Sequence, residues 1–243
     1  MNWMHVIRCL LIFSAGVALA ACEPYPDAAA DPGANLPAPA VLLRDEKEPV
    51  QAMDAEYEML TGEERKRSGW DKQVGQGLGL WISVAKQKLR VVEDCMVIQK
   101  YTCSTAKTGV GARFGSYQTP PGWHRIVERI GDGEPEGRVF RSRAVTAKIW
   151  KPGEETPEDL VLTRVFILEG LEPGINKGKD AEGFVVDSLQ RFIYIHGTND
   201  VKRLGEPASK GCIRLDNKDI IRLYNDIPVG TSVYIDPDAG TGH

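Results

Sequence analysis

Three observations predict a mainly β fold for residues 78–236, a β-sandwich-type domain with one or two short helices. Apolar and polar residues alternate along several short stretches, which is the pattern of strands with one buried face. Segments rich in glycine and proline separate these stretches, as loops do. Only one stretch combines a helical pattern with a capping residue. A domain of about 160 residues is large enough to bury a proper core.

The strands are predicted in the following order. Apolar residues alternate over residues 80–91, which favours two strands, and residues 96–102 continue as a third. Residues 161–168 alternate again, residues 192–195 form a short apolar strand, and residues 232–235 form the last one.

Loops and one helix connect these strands. Residues 108–122 hold four glycines and two prolines, and residues 169–182 are similarly irregular, so both are predicted loops. Asp216 is a suitable N-cap for a helix that runs to about Asn225, with apolar residues on one face.

The first 21 residues are predicted to be a secretory signal. Arg8 supplies the positive charge, and the apolar run over residues 9–20 is shorter than the roughly 20 residues that a membrane-spanning helix needs. The run closes with Leu19-Ala20-Ala21-Cys22, which resembles the lipobox of bacterial lipoproteins, where cleavage leaves an acylated cysteine at the N-terminus. The alternative is an ordinary signal with an incidental cysteine.

Lipidation of Cys22 implies a membrane anchor and a location in the periplasm or cell envelope, because two or more acyl chains anchor a protein stably. Glu23 follows, rather than aspartate, which favours the outer membrane. Residues 23–49 are rich in Pro, Ala and Asp and predict an extended tether, while residues 50–68 are either a short amphipathic helix or more linker. The predicted organisation is a signal over 1–21, a lipidated tether over 22–77, the folded domain over 78–236 and a flexible tail over 237–243.

The charge excludes nucleic acid as a partner. The chain has 30 basic and 34 acidic residues, and removal of residues 1–21 takes away only Arg8, so the mature charge is 29 minus 34, or −5. A nucleic-acid-binding protein would normally show a basic stripe, and none is present in the sequence.

The cysteines are predicted to have separate fates. Cys95 and Cys103 flank one strand, whose length would separate them by roughly 26 Å, whereas a disulfide needs about 4.4–6.8 Å between Cα atoms. We therefore expect no bridge between them. An odd cysteine remains in an oxidising compartment, which makes a free reactive thiol worth seeking at Cys212.

Cys212 and His196 are the candidate chemical pair. His196 directly follows an apolar strand, and Cys212 lies sixteen residues further on, between Gly211 and Ile213. A thiol nucleophile needs a base or a charge that makes it a thiolate, and an imidazole has a suitable pKa. On spacing alone, a core thiol and a structural histidine would explain the pair equally simply.

Two motifs carry a family resemblance. The pattern His196-Gly197-Thr198, followed after a spacer by Ser209-x-Gly211-Cys212-Ile213-Arg214, resembles the active-site signature of the L,D-transpeptidases with YkuD-type domains. Residues 81–89, 119–122 and 168–174 agree in order, so the resemblance covers nearly all of the folded domain.

The resemblance implies a substrate and a reaction. The substrate would be the stem peptide of peptidoglycan, attacked by the cysteine at the carbonyl of the third residue, with loss of D-alanine and formation of a thioester. An acceptor amine would then give a 3–3 cross-link or a protein tether, whereas water would make the protein an L,D-carboxypeptidase. No metal or organic cofactor is implied, and carbapenem β-lactams are candidate covalent inhibitors. A wall-binding lipoprotein without activity is the third alternative.

The resemblance also implies roles for single residues. Cys212 would be the nucleophile and His196 its base, with the Gly197 carbonyl orienting the imidazole and the amides of Gly211 and Cys212 binding the oxyanion. Arg214 would bind a substrate carboxylate or form a structural ion pair.

Two neighbours of the cysteine are further substrate-binding candidates. Ser209 would contact substrate or shape the turn. Lys210 occupies a position where many members of the family have histidine, and its ammonium would either favour the thiolate or point into solvent. His124 is interpreted as structural.

Overall fold

The computed structural model describes residues 58–237. The strands of this part of the chain are β1 Leu78–Ser83, β2 Lys88–Glu93, β3 Met96–Ser104, β4 Gly122–Ile130, β5 Arg138–Arg141, β6 Ala144–Ile149, β7 Val161–Gly170, β8 Tyr194–Gly197, β9 Ile213–Leu215 and β10 Ser232–Asp236. The α-helices are α1 Gly62–Ser68, α2 Trp70–Gln73 and α3 Asn217–Asp226, and a 3-10 turn covers Val201–Arg203.

The ten strands form one continuous sheet in the order β4-β10-β1-β2-β3-β9-β8-β7-β5-β6. Because β4 pairs with both β10 and β7, the first eight strands of that order close into a ring, and β5 and β6 extend from β7. The prediction of a mainly β fold with few short helices is confirmed. The predicted β-sandwich therefore consists of a single sheet, which closes on itself where β4 pairs with β7.

Apolar side chains from most of these strands fill the interior, and α3 packs against β7 and β8. Asp216 caps α3 as predicted, with its carboxylate accepting from the Lys218 amide at 2.8 Å. The buried face of the helix presents Ile220, Leu223 and Tyr224 to the core. The helix therefore supports the strand that carries His196 from behind.

The folded part begins earlier than residue 78. Leu60 is buried, and Trp70 is fully buried with its ring centroid 5.8 Å from that of Trp81 and 5.6 Å from that of Trp123. Residues 58–77, which the sequence assigned to the tether, therefore pack on the sheet through Leu60 and Trp70. Helix α1 lies within residues 50–68, where a short helix was one of the two predictions.

The predicted signal, the predicted lipidation site at Cys22, the predicted tether up to residue 57 and the predicted tail from residue 238 lie outside the described residues. Between residues 58 and 237, no helix is long and apolar enough to cross a membrane.

Strands β4, β5, β6 and β9 had no sequence prediction. In β4 the burial pattern is irregular, and a register shift between Ile126 and Glu128 interrupts its pairing with β7, so period-two alternation is absent. The prediction about the cysteines is confirmed, since Cys95, Cys103 and Cys212 are all free thiols.

Candidate active site

Parallel pairing of β8 with β9 brings the two predicted catalytic residues to the same region. His196 is the register partner of Arg214, and Cys212 directly precedes β9. Cys212 packs against the apolar cluster that contains Tyr194 and Val165, and Val165 is in turn the β7 partner of His196. The thiol and the imidazole therefore share one face of neighbouring strands.

His196 is buried and neutral. Its Nδ1 lies 2.7 Å from the carbonyl oxygen of Gly197, which accepts the Nδ1 proton and leaves Nε2 as the free acceptor. Burial lowers the pKa of His196 to about 4, although the hydrogen bond to the carbonyl works in the other direction. At neutral pH the ring is therefore unprotonated and can accept a proton at Nε2. The Gly197 carbonyl, which was predicted to orient the ring, sets its tautomer.

A buried network holds the segment after the histidine. A Cβ on Gly197 would lie 2.4 Å from Asn217 Oδ1 and 2.9 Å from the Leu162 carbonyl, so only glycine fits there. Asn217 donates to the Thr198 carbonyl at 2.9 Å and accepts from the Thr163 hydroxyl at 2.6 Å. Thr163 has φ of 71°, a strained conformation for a β-branched residue, which its buried contacts maintain at the bulge in β7.

Cys212 is partly exposed, and its Sγ donates to the Phe192 carbonyl at 3.3 Å. Burial raises the pKa of the thiol to about 11, and a hydrogen bond from the Tyr194 amide opposes that effect. Asp159 raises the pKa further, while Arg214 lowers it. The same two charges act on His196, which places both reactive groups within range of one ion pair. The resting pair is a neutral thiol with a neutral imidazole.

The turn before the nucleophile uses the groups that were predicted to bind substrate and oxyanion. Ser209 Oγ donates to the Cys212 carbonyl at 2.6 Å and accepts from the Gly211 amide at 3.1 Å, so it shapes the turn. Gly211 has φ of 128°, and its carbonyl accepts from the Thr119 hydroxyl at 3.0 Å.

This arrangement corrects one predicted role and decides between two others. The Gly211 amide is not a free oxyanion donor, because Ser209 occupies it, and Ser209 has the turn-shaping role that was one of its two predicted roles rather than the substrate contact. The Cys212 amide makes no hydrogen bond to another residue between 58 and 237, so it remains as the available donor of the predicted pair.

Arg214 forms the structural ion pair that was one of its two predicted roles. Its side chain is almost fully buried, and its two terminal nitrogens face Asp159 at 2.5 Å and Asp200 at 3.1 Å. The guanidinium fork is therefore engaged by protein carboxylates rather than open to a substrate, which corrects its assignment as a carboxylate-binding residue. No local motif marks Asp159 in the sequence, because only the fold brings it to Arg214.

Lys210 is exposed and lines a cleft of about 1070 Å³ beside the site. Lys210 is not among the groups that shift the pKa of Cys212, so the idea that its ammonium favours the thiolate is not supported. Seven carboxylates line the same cleft, namely Glu136, Glu154, Glu155, Glu158, Asp159, Asp200 and Asp216.

Sequence reasoning missed two residues beside the thiol. Phe192 was predicted to begin a strand, but it has φ of 56° and the strand starts at Tyr194. In this left-handed conformation the Phe192 carbonyl lies within hydrogen-bond distance of the Cys212 thiol. The Phe192 ring is half exposed. Arg191 precedes it and is half-buried. The sequence signal for Arg191 was its position just before the apolar stretch that leads to His196.

His124 lies outside this site and is structural, as interpreted from the sequence. It is fully buried, with Nδ1 3.0 Å from the Gly122 carbonyl and Nε2 2.9 Å from Ser188 Oγ.

A partly exposed thiol beside a neutral imidazole, whose tautomer a carbonyl sets, is the constellation of cysteine-dependent acyl-transfer sites. Residues 79–235 match the family model YkuD, the L,D-transpeptidase catalytic domain. The match covers more than half of the chain, which therefore belongs to this family, and the resemblance seen in the sequence is confirmed.

Named relatives share this domain. The probable L,D-transpeptidase ErfK/SrfK of Salmonella typhimurium is 33% identical over 129 residues, which cover 52% of this chain and 35% of the relative. The protein of the same name from Escherichia coli is 31% identical over 127 residues, with the same coverage of 52% and 35%. The chain thus spans about a third of the length of these relatives.

One of the solved structures that are similar to this chain is L,D-transpeptidase 3 from Mycobacterium tuberculosis in complex with a faropenem-derived adduct. It is 15% identical to this chain with a TM-score of 0.41, and the match covers 67% of this chain and 61% of that one.

Proposed function

We propose that this protein is an L,D-transpeptidase that acts on peptidoglycan stem peptides through a thioester on Cys212. The observation that carries the proposal is the juxtaposition, through β8 and β9, of a free thiol with a neutral, oriented imidazole. Family membership supports the same substrate class.

The first half-reaction forms the thioester. His196 Nε2 takes the Cys212 proton as the sulfur attacks the carbonyl of the third stem residue, and the Cys212 amide donates to the developing oxyanion. The C–N bond to D-alanine then breaks, and the imidazolium returns the proton to the leaving amine. Because thiol and imidazole are both neutral at rest, proton transfer accompanies attack rather than preceding it.

The second half-reaction transfers the acyl group. An acceptor amine attacks the thioester, His196 takes its proton, and the thiol is regenerated. Seven carboxylates and five basic side chains line the cleft beside Arg214, so it offers partners to both the ammonium and the carboxylate groups of a second stem peptide. At about 1070 Å³ the cleft has the size of a site for a peptide branch.

Product analysis tests the proposal. The purified full chain is incubated with tetrapeptide muropeptides, and the products are weighed by mass spectrometry. Cross-linked dimers support transfer, whereas tripeptide alone indicates an L,D-carboxypeptidase. Cys212→Ala should abolish both products, while Cys95→Ala, which removes a buried thiol elsewhere, should retain them. Absence of any product from the wild-type protein would favour a wall-binding lipoprotein without activity.

A carbapenem provides a second test of the nucleophile. Opening of the β-lactam by the thiol adds the whole inhibitor to the protein, so the mass should rise by one inhibitor at Cys212 and not in Cys212→Ala. An adduct at another residue would contradict the assignment.

We also propose that Cys22 is lipidated and holds the protein in the cell envelope, with the outer membrane favoured. The Leu19-Ala20-Ala21-Cys22 motif and the residue after it support this. Cys22→Ser should move the protein from the membrane to the soluble fraction, and density-gradient separation should place the wild type with outer membranes. Retention of Cys22→Ser in membranes would refute lipid anchoring.

A further inference from the structure

Arg191 lies next to the nucleophile. It immediately precedes Phe192, whose carbonyl accepts the thiol hydrogen bond at 3.3 Å. Its guanidinium donates to the Gln118 carbonyl at 2.7 Å and contacts the Gly111 carbonyl at 3.4 Å. That Gln118 oxygen also lies 3.2 Å from the position that a Cβ on Gly211 would occupy. A single carbonyl oxygen thus separates the guanidinium from the turn that carries Cys212.

The guanidinium of Arg191 has more hydrogen-bond donors than its contacts among residues 58–237 use. A guanidinium has five N–H groups, and the fixed contacts of Arg191 are to two neutral carbonyls. Within residues 58–237, no carboxylate forms an ion pair with it. Arg214 and Arg113 differ, because the first faces two partly exposed aspartates and the second pairs with Asp180 and Glu182. Because Arg191 lies beside the thiol, its unused donors are placed to bind an anion that arrives with the substrate.

Activation of the thiol does not explain Arg191. Burial outweighs every charge near Cys212, and its pKa stays at about 11 although Arg191 lowers it. Arg214, the arginine on β9, is already engaged by two aspartates, and Arg143 stacks over the Phe192 ring and donates to the Tyr194 hydroxyl. The remaining role for a planar fork beside the nucleophile is recognition of a carboxylate on the substrate.

We propose that Arg191 binds a carboxylate of the donor stem peptide beside the scissile bond and so positions the carbonyl over Cys212; this rests on the proposed function. Such a donor offers two carboxylates at that place. One is the terminal carboxylate of the leaving residue, and the other belongs to the side chain of the diamino acid. Both present the same chemistry to the guanidinium, and the donors used in the test tell them apart.

Alkylation tests the anion preference without peptidoglycan. Iodoacetate and iodoacetamide both react when the sulfur displaces iodide, and they differ in the carboxylate. The rate ratio of the anionic to the neutral reagent at Cys212, located by peptide mass mapping of the full chain, should fall about tenfold in Arg191→Gln, or about 1.4 kcal/mol. Arg191→Lys should retain part of the preference, and Arg113→Gln all of it. An unchanged ratio in Arg191→Gln, even with slower alkylation by both reagents, overturns the proposal.

Modified donors identify the carboxylate. Tetrapeptide donors are compared with the same donors carrying an amide at the C-terminus or on the diamino-acid side chain. In the wild type one amidation should raise KM about tenfold with a smaller effect on kcat, and Arg191→Gln should erase that difference. An equal loss for all donors in Arg191→Gln would mean that the residue only positions the loop, which overturns the proposal. If the wild type forms no product from any donor, the proposed function fails, whereas the reagent ratio still decides whether Arg191 binds anions.

Discussion

Replacement of His124 by glutamine should make the protein less sensitive to acid. His124 is fully buried in β4, and burial lowers its pKa from 6.5 to about 4, with the charge of Arg191 acting in the same direction. As the pH falls, the unfolded chain therefore takes up this proton before the folded chain does. The stabilisation from the neutral ring is complete above about pH 6.5 and is lost as the pH falls toward 4.

The size of the effect follows from the pKa. One pKa unit corresponds to about 1.4 kcal/mol, so protonation of His124 costs the folded state about 3 kcal/mol in full. Between about pH 6.5 and pH 4.5, linkage gives a loss of about 2 kcal/mol for each such histidine. His196 has the same pKa of about 4. The unfolding free energy of the wild type should therefore fall by about 4 kcal/mol over this range from these two histidines, and that of His124→Gln by about 2 kcal/mol.

The assay is chemical unfolding of the full chain at both pH values, followed by fluorescence of the buried tryptophan cluster. Carboxylates that titrate in the same range contribute equally to both proteins, so they cancel from the comparison. Ser188→Ala is the matched control, because it removes the hydrogen bond to Nε2 and leaves the imidazole in place. It should lose about 1 kcal/mol at both pH values and keep the wild-type pH dependence. Identical pH dependence of His124→Gln and wild type would refute the reasoning.

Three further outcomes are expected. Gly197→Ala places a Cβ 2.4 Å from Asn217 Oδ1, so transfer should slow at least about tenfold with destabilisation of about 1–3 kcal/mol, measured by turnover and chemical unfolding. Burial lowers the pKa of His196 to about 4, so kcat/KM should persist below about pH 5.5 and fall only near that pKa. Asp159→Asn removes a charge that raises the pKa of Cys212, so the midpoint pH of iodoacetamide alkylation should fall.

Each of these outcomes has a control or a contrary result. A Cβ on Gly62 meets nothing within 4 Å, so Gly62→Ala should leave turnover and stability unchanged. Glu158→Gln removes an exposed carboxylate that pairs with Arg141 and should not move the alkylation midpoint. Half-loss of kcat/KM near pH 6.5 would contradict the buried neutral base, and a higher alkylation midpoint in Asp159→Asn would contradict the electrostatic assignment.

Features that depend on neighbouring residues along the chain could be predicted. Alternation located β1, β2 and β7, because every second side chain of a strand points to the same face. The turns before them located β3 and β10. The cap at Asp216 located α3 in the same way. Strand β4 and the packing of Trp70 were not predictable, since a bulge breaks the alternation in β4 and the partners of Trp70 come from β1 and β4.

The sequence by itself determined which thiol and which imidazole form the candidate pair, because residue type and local motif are properties of the chain. Only the tertiary structure decided what surrounds them. Among residues 58–237, it assigned Arg214 to two aspartates and the Gly211 amide to Ser209, and it gave Arg191 no carboxylate partner. The physical reason is that hydrogen bonds and ion pairs act through space over a few ångströms. Whether a donor or a charge is still free to bind substrate therefore depends on partners that are distant in sequence.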